Sequence, residues 1–150
     1  MTKNILLSLL LFTLSLNTAR ADKINWHQWD SAPFLQAKAE NKMVLLDVGI
    51  EGCTACRWMD EITYTNADVI ELVNEHFVAI VADAEAKPDV GERYSDWAWP
   101  ATIFMAPDTT QVLALSGNRQ PRNFIPILNE LINKKATNEL QTDKLAPYSV

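Results

Sequence analysis

The chain has 150 residues, 48% of them hydrophobic and 21% charged, with 13 Lys and Arg against 19 Asp and Glu and two cysteines. That is one domain's worth of globular protein, and it excludes a disordered chain, a collagen-like chain and a disulfide-dense miniprotein. The net charge of -6 argues against nucleic acid as the main partner, because binding phosphates requires a basic face and no basic run is visible.

Residues 1–21 read as a secretory signal peptide. Lys3 is the positive start, Ile5 to Leu16 are apolar apart from Ser8, Thr13 and Ser15, and Ala19-Arg20-Ala21 has the small-x-small form of a cleavage site. An apolar run of about 12 residues falls short of the roughly 20 that cross a bilayer as a helix, so no stable membrane insertion is expected after cleavage. The mature chain would be Asp22–Val150, with a charge of about -8, and its location periplasmic or secreted.

Asp30-Ser31-Ala32-Pro33 supplies a cap and an early proline for a first helix running to about Asn41, with Phe34, Leu35, Ala37 and Ala39 as its apolar side. Met43 to Val48 is a nearly continuous apolar run of strand length, the pattern of a strand covered on both faces, and its one polar member, Asp47, would be buried. A second helix is expected from Cys53 to about Ile62, and a third from Asn66 to about Glu75 with Val69, Ile70, Leu72 and Val73 inward. Phe77 to Ala82 is a second buried strand. Asp83 to Trp99 reads as a loop around a short helix near Val90 to Asp96.

Ala101 to Ala106 and Gln111 to Leu115 are two strands separated by four residues, hence an antiparallel hairpin. A last helix covers about Arg122 to Lys135, with Phe124, Ile125, Leu128, Leu131 and Ile132 on one face. Pro126 belongs in the first turn of that helix, with Asn123 as the cap, because a proline deeper inside removes a hydrogen bond. Residues 22–135 thus form one domain, followed by a loose tail over 136–150. A strand, crossover helices and a strand, then a hairpin and a helix, define an α/β fold with a mixed sheet of four to five strands and helices on both faces.

The two cysteines form Cys53-Thr54-Ala55-Cys56. In an oxidising compartment they can form a disulfide. A structural staple normally closes a long loop, and a ring across two residues gains little from it. A CxxC between a buried strand and a helix in such a setting reads instead as a redox motif. A c-type haem would need His where Arg57 stands, and a structural zinc would need four ligands where two cysteines and the scattered His27 and His76 are available, so neither metal nor cofactor is expected.

These segments resemble the thioredoxin family. Val44 to Val48 followed by the cysteine motif is similar to its first core strand and active-site turn, with an acidic residue six positions before the first cysteine. Phe77 to Asp83 looks like the next strand, and Trp99-Pro100-Ala101-Thr102 stands where the family carries a cis-proline ahead of its hairpin. Trp26 to Lys42, Cys53 to Met59, Asn74 to Val78 and Trp99-Pro100 resemble the secreted short thioredoxin-like proteins and the thioredoxin-like domain of the spermatogenesis-associated type. The resemblance covers about residues 26–133. It departs at Thr54-Ala55, where thioredoxins have Gly-Pro and strong oxidants and isomerases have His, and at Gly52, where Trp is frequent. The direction of electron flow therefore stays open.

The resemblance implies exchange with protein thiols and disulfides and with a redox donor or acceptor that the sequence does not identify. Cys53, at a helix start, is the expected nucleophile, and Cys56 the resolving thiol. Arg57 either adds positive potential or faces water. Asp47 either manages the proton of Cys56, or faces solvent at a strand end or bonds a backbone group; the family spacing favours the first. A cis Pro100 would present the backbone of Trp99 to a substrate strand, with Trp97 and Trp99 as an apolar docking patch. Trp26, Trp29 and Trp58 are expected in packing, as are Met59 and Met105. The alternative function is a non-catalytic binding module with a static Cys53–Cys56 disulfide.

Overall fold

The computed structural model describes residues 21–140; the signal-peptide reading up to Arg20 and residues 141–150 of the expected tail lie outside the described residues. In chain order the elements are β1 (Trp26–Gln28), α1 (Ser31–Glu40), β2 (Met43–Gly49), α2 (Thr54–Trp58) continued by a π turn over Met59–Thr63, α3 (Ala67–His76), β3 (Phe77–Asp83), α4 (Pro88–Arg93), β4 (Ala101–Met105), β5 (Gln111–Ser116) and α5 (Pro121–Ala136). The five strands form one sheet in the order β1-β3-β2-β4-β5. β3 runs parallel to both β1 and β2, whereas β4 runs antiparallel to β2 and β5 to β4.

The unbroken apolar runs become the middle of the sheet. Met43 to Val48 are all buried, and so are Ala101 to Met105, because helices cover both faces. One face carries Val44, Leu46, Val48, Ile80 and Ile103 under α1 and α4, with Phe34, Ala37, Val90 and Tyr94 packed on them. The other carries Met43, Leu45, Phe77, Ala79 and Phe104 under α3 and α5, which contribute Val69, Val73, Phe124, Leu128 and Leu131. Each such buried Val, Leu, Ile, Phe or Met side chain stabilises the fold by about 1.5–3 kcal/mol, which is why these strands stand out in the sequence as apolar runs.

Several local expectations are corrected. The three-residue strand β1 was not foreseen; it is held at the sheet edge by parallel pairing to Ala79–Val81, and the Asn74 side chain on α3 clamps the segment just before it by accepting from Asn25 N and donating to the Lys23 carbonyl. In α1 the inward side chains are Pro33, Phe34 and Ala37, whereas Leu35 and Ala39 face solvent, because the helix begins at Ser31 and that phase turns them outward. The short helix lies earlier than expected, at Pro88–Arg93, with Pro88 in its first turn, where a missing N–H costs nothing.

Pro126 lies inside α5 rather than in its first turn. Pro121 takes the N-terminal role, with Gln120 as cap, and the apolar face of Phe124, Leu128 and Leu131 keeps the helix continuous across the later proline. At the other end Asn138 adopts a left-handed conformation (φ 59°), with Asn138 N donating to the Lys135 carbonyl and Glu139 N to that of Lys134. That is a Schellman closure of the helix.

Candidate active site

The strand register alone builds the floor of the site. It aligns Gln28, Val81, Asp47, Thr102 and Leu115 in one row across the five strands, near the C-terminal ends of β2 and β3. Elsewhere on this face the central positions are apolar; in this row Asp47 and Thr102 are both buried. Ligand sites of open α/β sheets lie at such strand ends.

After β2 the chain turns through Gly52, whose φ of 74° suits a residue without a Cβ, and enters α2 with Cys53 as its N-cap. The Cys53 sulfur accepts from the backbone N–H of Cys56 at 3.1 Å, and the two residues are joined by a disulfide with their Cα atoms 5.3 Å apart. Cys56 packs down onto β2. A Cβ built on Gly49 would lie 3.2 Å from the Cys56 sulfur, so the missing side chain at Gly49 makes room for the second cysteine. Both cysteines are half-buried.

Helix α2 then changes pitch. Tyr64 N donates to the Met59 carbonyl at 3.0 Å, five residues back, so the expected straight helix to Ile62 is interrupted by a π turn. Such turns insert one residue into a helix and shift the phase of the residues beyond them. Here the shift coincides with Tyr64 reaching the sheet: its hydroxyl donates to Asp47 Oδ1 at 2.9 Å. The ring is wedged edge-on against Trp26 and Phe124, at centroid distances of 4.9 and 6.0 Å.

A cleft of about 370 Å³ opens beside this pair, bordered by Asp47, Gly49 and Cys56, with Glu51, Asp60 and Asp83 as further acidic walls. Cys53 is not among its lining residues, and neither is any Lys or Arg. Burial pushes the Asp47 carboxyl up to about 7; the Tyr64 hydrogen bond opposes that rise and the negative charge of Asp60 adds to it. Burial, and then the neighbouring Asp47, hold the Tyr64 phenol well above its usual range. Asp60 is itself raised, first by burial and then by Glu61. The buried carboxyl that shares the cleft with the second cysteine is thus raised toward the range where thiols exchange, with a donor on one oxygen.

The proline loop leads into β4 and does not line the cleft. The Trp99–Pro100 peptide bond is cis. Gly117 N donates to the Pro100 carbonyl at 2.8 Å, and Arg119 N donates to the Met59 sulfur at 3.3 Å, tying the proline loop, the β5–α5 connection and the π turn together. Trp97 and Trp99 are half-buried against the core cluster under α1 and α4, and Trp97 stands edge-on to Tyr94 at 5.9 Å.

Of the remaining residues singled out in the sequence, Arg57 is exposed, Trp26 and Trp29 pack at the margins of the two cores, Trp58 is half-buried, and Met59 and Met105 are buried. His76 lies 3.7 Å from Glu75, and among the described residues no group of three potential metal ligands occurs. Tyr64, Gly49 and Asp60 were missed. A glycine six residues past the start of an apolar run was the one readable signal among them; the Tyr64 contact depends on the π turn, which has no sequence signature.

Comparison with known proteins places this geometry in context. Over 92 residues, 56% of this chain, it is 34% identical to spermatogenesis-associated protein 20 of Rattus norvegicus, and over 93 residues it is 31% identical to that of Homo sapiens. Each match takes in 12% of the relative, so the chain spans a small part of those proteins' length. Among solved structures it is similar to a thioredoxin from Thermus thermophilus, with a TM-score of 0.69 at 21% identity over 77% of this chain and 92% of that one. It is also similar to a structure titled DsbH oxidoreductase, with a TM-score of 0.63 at 12% identity over 76% of this chain and 88% of that one. These likenesses show the thioredoxin fold. The family model that matches residues 13–144 takes in β2, the cysteine motif and the cis-proline loop, and the chain belongs to the family it describes, Thioredox_DsbH, a protein of unknown function, DUF255.

Proposed function

We propose that this protein is an exported thiol–disulfide oxidoreductase that exchanges disulfides with protein substrates. The observation that carries the reading is the placement of Cys56 and the buried Asp47 on one cleft, with Cys53 capping the helix beside them. Export is supported by Lys3, the apolar stretch Ile5 to Leu16 and Ala19-Arg20-Ala21.

In the reducing direction the Cys53 thiolate attacks a substrate disulfide, forming a bond from Cys53 to one substrate sulfur and releasing the other as a thiol. The N–H of Cys56, aimed at the Cys53 sulfur, stabilises that thiolate. Asp47 then takes the proton of the Cys56 thiol. The Cys56 thiolate attacks Cys53, the Cys53–Cys56 disulfide forms, and the second substrate sulfur leaves and is protonated. Two electrons pass from the enzyme dithiol to the substrate disulfide, and an external dithiol donor restores the pair; the oxidising direction is the reverse, with a disulfide acceptor. Trp99, Pro100 and Trp97 form the side on which a substrate strand docks in this reading.

The test is insulin reduction and dithiol oxidation by the Asp22–Val150 protein. Cys53→Ser is expected to abolish turnover in both. Equal behaviour of wild type and variant would sink the proposal and leave the static-disulfide binding module in its place. The reduction potential of the pair then sets the direction: a value near that of reducing thioredoxins identifies a reductase, and a much higher one an oxidant or isomerase.

A further inference from the structure

Tyr64 lies outside the cysteine motif and the proline loop, yet its hydroxyl meets the one buried carboxyl of the site. A tyrosine buried only for packing would lose free energy through its desolvated O–H, and phenylalanine would serve as well. Here the O–H donates to Asp47 Oδ1 at 2.9 Å. Two features hold the phenol in that direction. The π turn carries Tyr64 toward β2, with its N–H bonded to Met59 rather than Asp60. Trp26 and Phe124 clamp the ring edge-on. The Thr102 side chain, directly across from Asp47 on β4, lies buried beside the phenol, and its hydroxyl has no hydrogen-bond partner among the described residues.

We propose that Tyr64 is a positioning residue for proton transfer between Asp47 and Cys56: by occupying Oδ1 it leaves Oδ2 as the oxygen that carries the exchangeable proton. This rests on the exchange reaction proposed above and adds a residue to it. The step is the removal of the Cys56 proton during resolution of the mixed disulfide. The proton moves from the Cys56 sulfur to Oδ2, the Cys56 sulfur bonds to Cys53, and the bond from Cys53 to the substrate sulfur breaks. The phenol keeps its own proton throughout, donating to the carboxylate before transfer and to the carbonyl-like oxygen afterwards.

The groups that bond to Asp47, pair with it or share its cleft are Tyr64 and Asp60 from the π turn and its end, Cys56 from α2, Glu51 from the turn after β2, Asp83 from the end of β3, and the uncharged Thr102 and Gln28 from β4 and β1. The charged members of that set are all carboxylates, so Tyr64 is the feature in it that favours ionised Asp47. Removing the O–H therefore raises the pH at which Asp47 becomes a base.

The test is Tyr64→Phe, read in two ways. In the disulfide form, where no thiol titrates, the carbon-13 resonance of the Asp47 carboxyl should shift its midpoint upward by about one pH unit. In the dithiol form, mixing with 5,5′-dithiobis(2-nitrobenzoate) loads Cys53, and release of the second thionitrobenzoate reports resolution. That step should be about fivefold slower than wild type at pH 7 and equal to it by about pH 9, where both carboxyls are ionised. An unmoved midpoint, or a defect of equal size at every pH, overturns the proposal. If Tyr64→Phe does not fold, replacing the three tyrosines by 3-fluorotyrosine, a stronger donor, must move the Asp47 midpoint downward, and no movement overturns it. The carboxyl titration needs no turnover, so it separates failure of this role from failure of the exchange reaction, which Cys53→Ser reports.

Discussion

The two faces of the sheet come from the same strands and differ in one row. Under α1 and α4 the central positions are apolar throughout: Val44, Leu46 and Val48 on β2, Val78, Ile80 and Ala82 on β3, Ala101, Ile103 and Met105 on β4. Under α2, α3 and α5 the same strands are apolar at one end and polar at the other, where Asp47 and Thr102 replace the hydrocarbon. The covering helices differ as well. α1 is regular, whereas the opposite side has a π turn after α2 and a proline inside α5. Irregular packing is concentrated on the face that carries the cysteines.

Adding a carboxyl one residue earlier on β2 breaks the comparison most severely. Leu46→Asp places it on the apolar face, between Ile80 and Ile103, with no tyrosine to donate to it. Loss of the leucine costs about 2–5 kcal/mol and the unpaired carboxyl several more, which together match the whole stability of a small domain. The variant is expected to be unfolded at neutral pH by circular dichroism and to lack a cooperative urea transition. A folded Leu46→Asp protein would mean that the two faces are equally tolerant and that the polar row has no special support.

Removing the charge from the mixed face has the next largest effect, in the opposite direction. The Asp47 carboxyl is at about 7 in the folded protein against an ordinary 3.8, chiefly through burial. A group raised in this way contributes stability that is fully present below pH 4 and lost as pH rises through 7, because the native state binds the proton that the unfolded state has released. The shift corresponds to on the order of 4 kcal/mol. Asp47→Asn keeps an acceptor for Tyr64 and removes the titration. It should therefore be more stable than wild type at pH 8, with little difference at pH 4, in guanidinium unfolding of the disulfide form. A wild-type stability that does not fall between pH 4 and 8 would contradict the buried, raised carboxyl.

How much of the molecule was legible depends on where each signal lives. The runs Met43 to Val48 and Phe77 to Ala82 announce doubly covered strands because burial on both faces demands apolar side chains at every position. Asp47 was visible as the exception within such a run. The hairpin of β4 and β5 was visible from its four-residue link, and the cysteine motif from its place after β2. The Tyr64 to Asp47 bond spans 17 positions and depends on a helix defect, so no local pattern encodes it. β1 escaped notice because three residues at an edge, held by pairing to β3 and by Asn74, have no hydrophobic period to display. Pro126 departs from its expected place in the first turn for the opposite reason: a strong local rule is overridden by the buried face of Phe124, Leu128 and Leu131.

That override gives the smallest of these effects and tests whether the irregularity of the mixed face is tolerated or needed. Pro126 is exposed, so replacing it by alanine removes no core contact. It restores an N–H able to bond to the Arg122 carbonyl, the helical partner four residues back, and relieves the ring's crowding against that group. A proline inside a helix costs up to about 3 kcal/mol relative to alanine, and part of that has already been absorbed by local adjustment. Its rigid ring also lowers the entropy of the unfolded chain, which offsets some of the gain. The net expectation for Pro126→Ala is a stabilisation of about 1–2 kcal/mol in urea unfolding, with the Asp47 titration midpoint unchanged. A gain in stability with that midpoint fixed would make the proline in α5 an independent defect. If the midpoint moves with the substitution, the line of α5 sets the Phe124 contact that orients Tyr64, and the irregular helix belongs to the site.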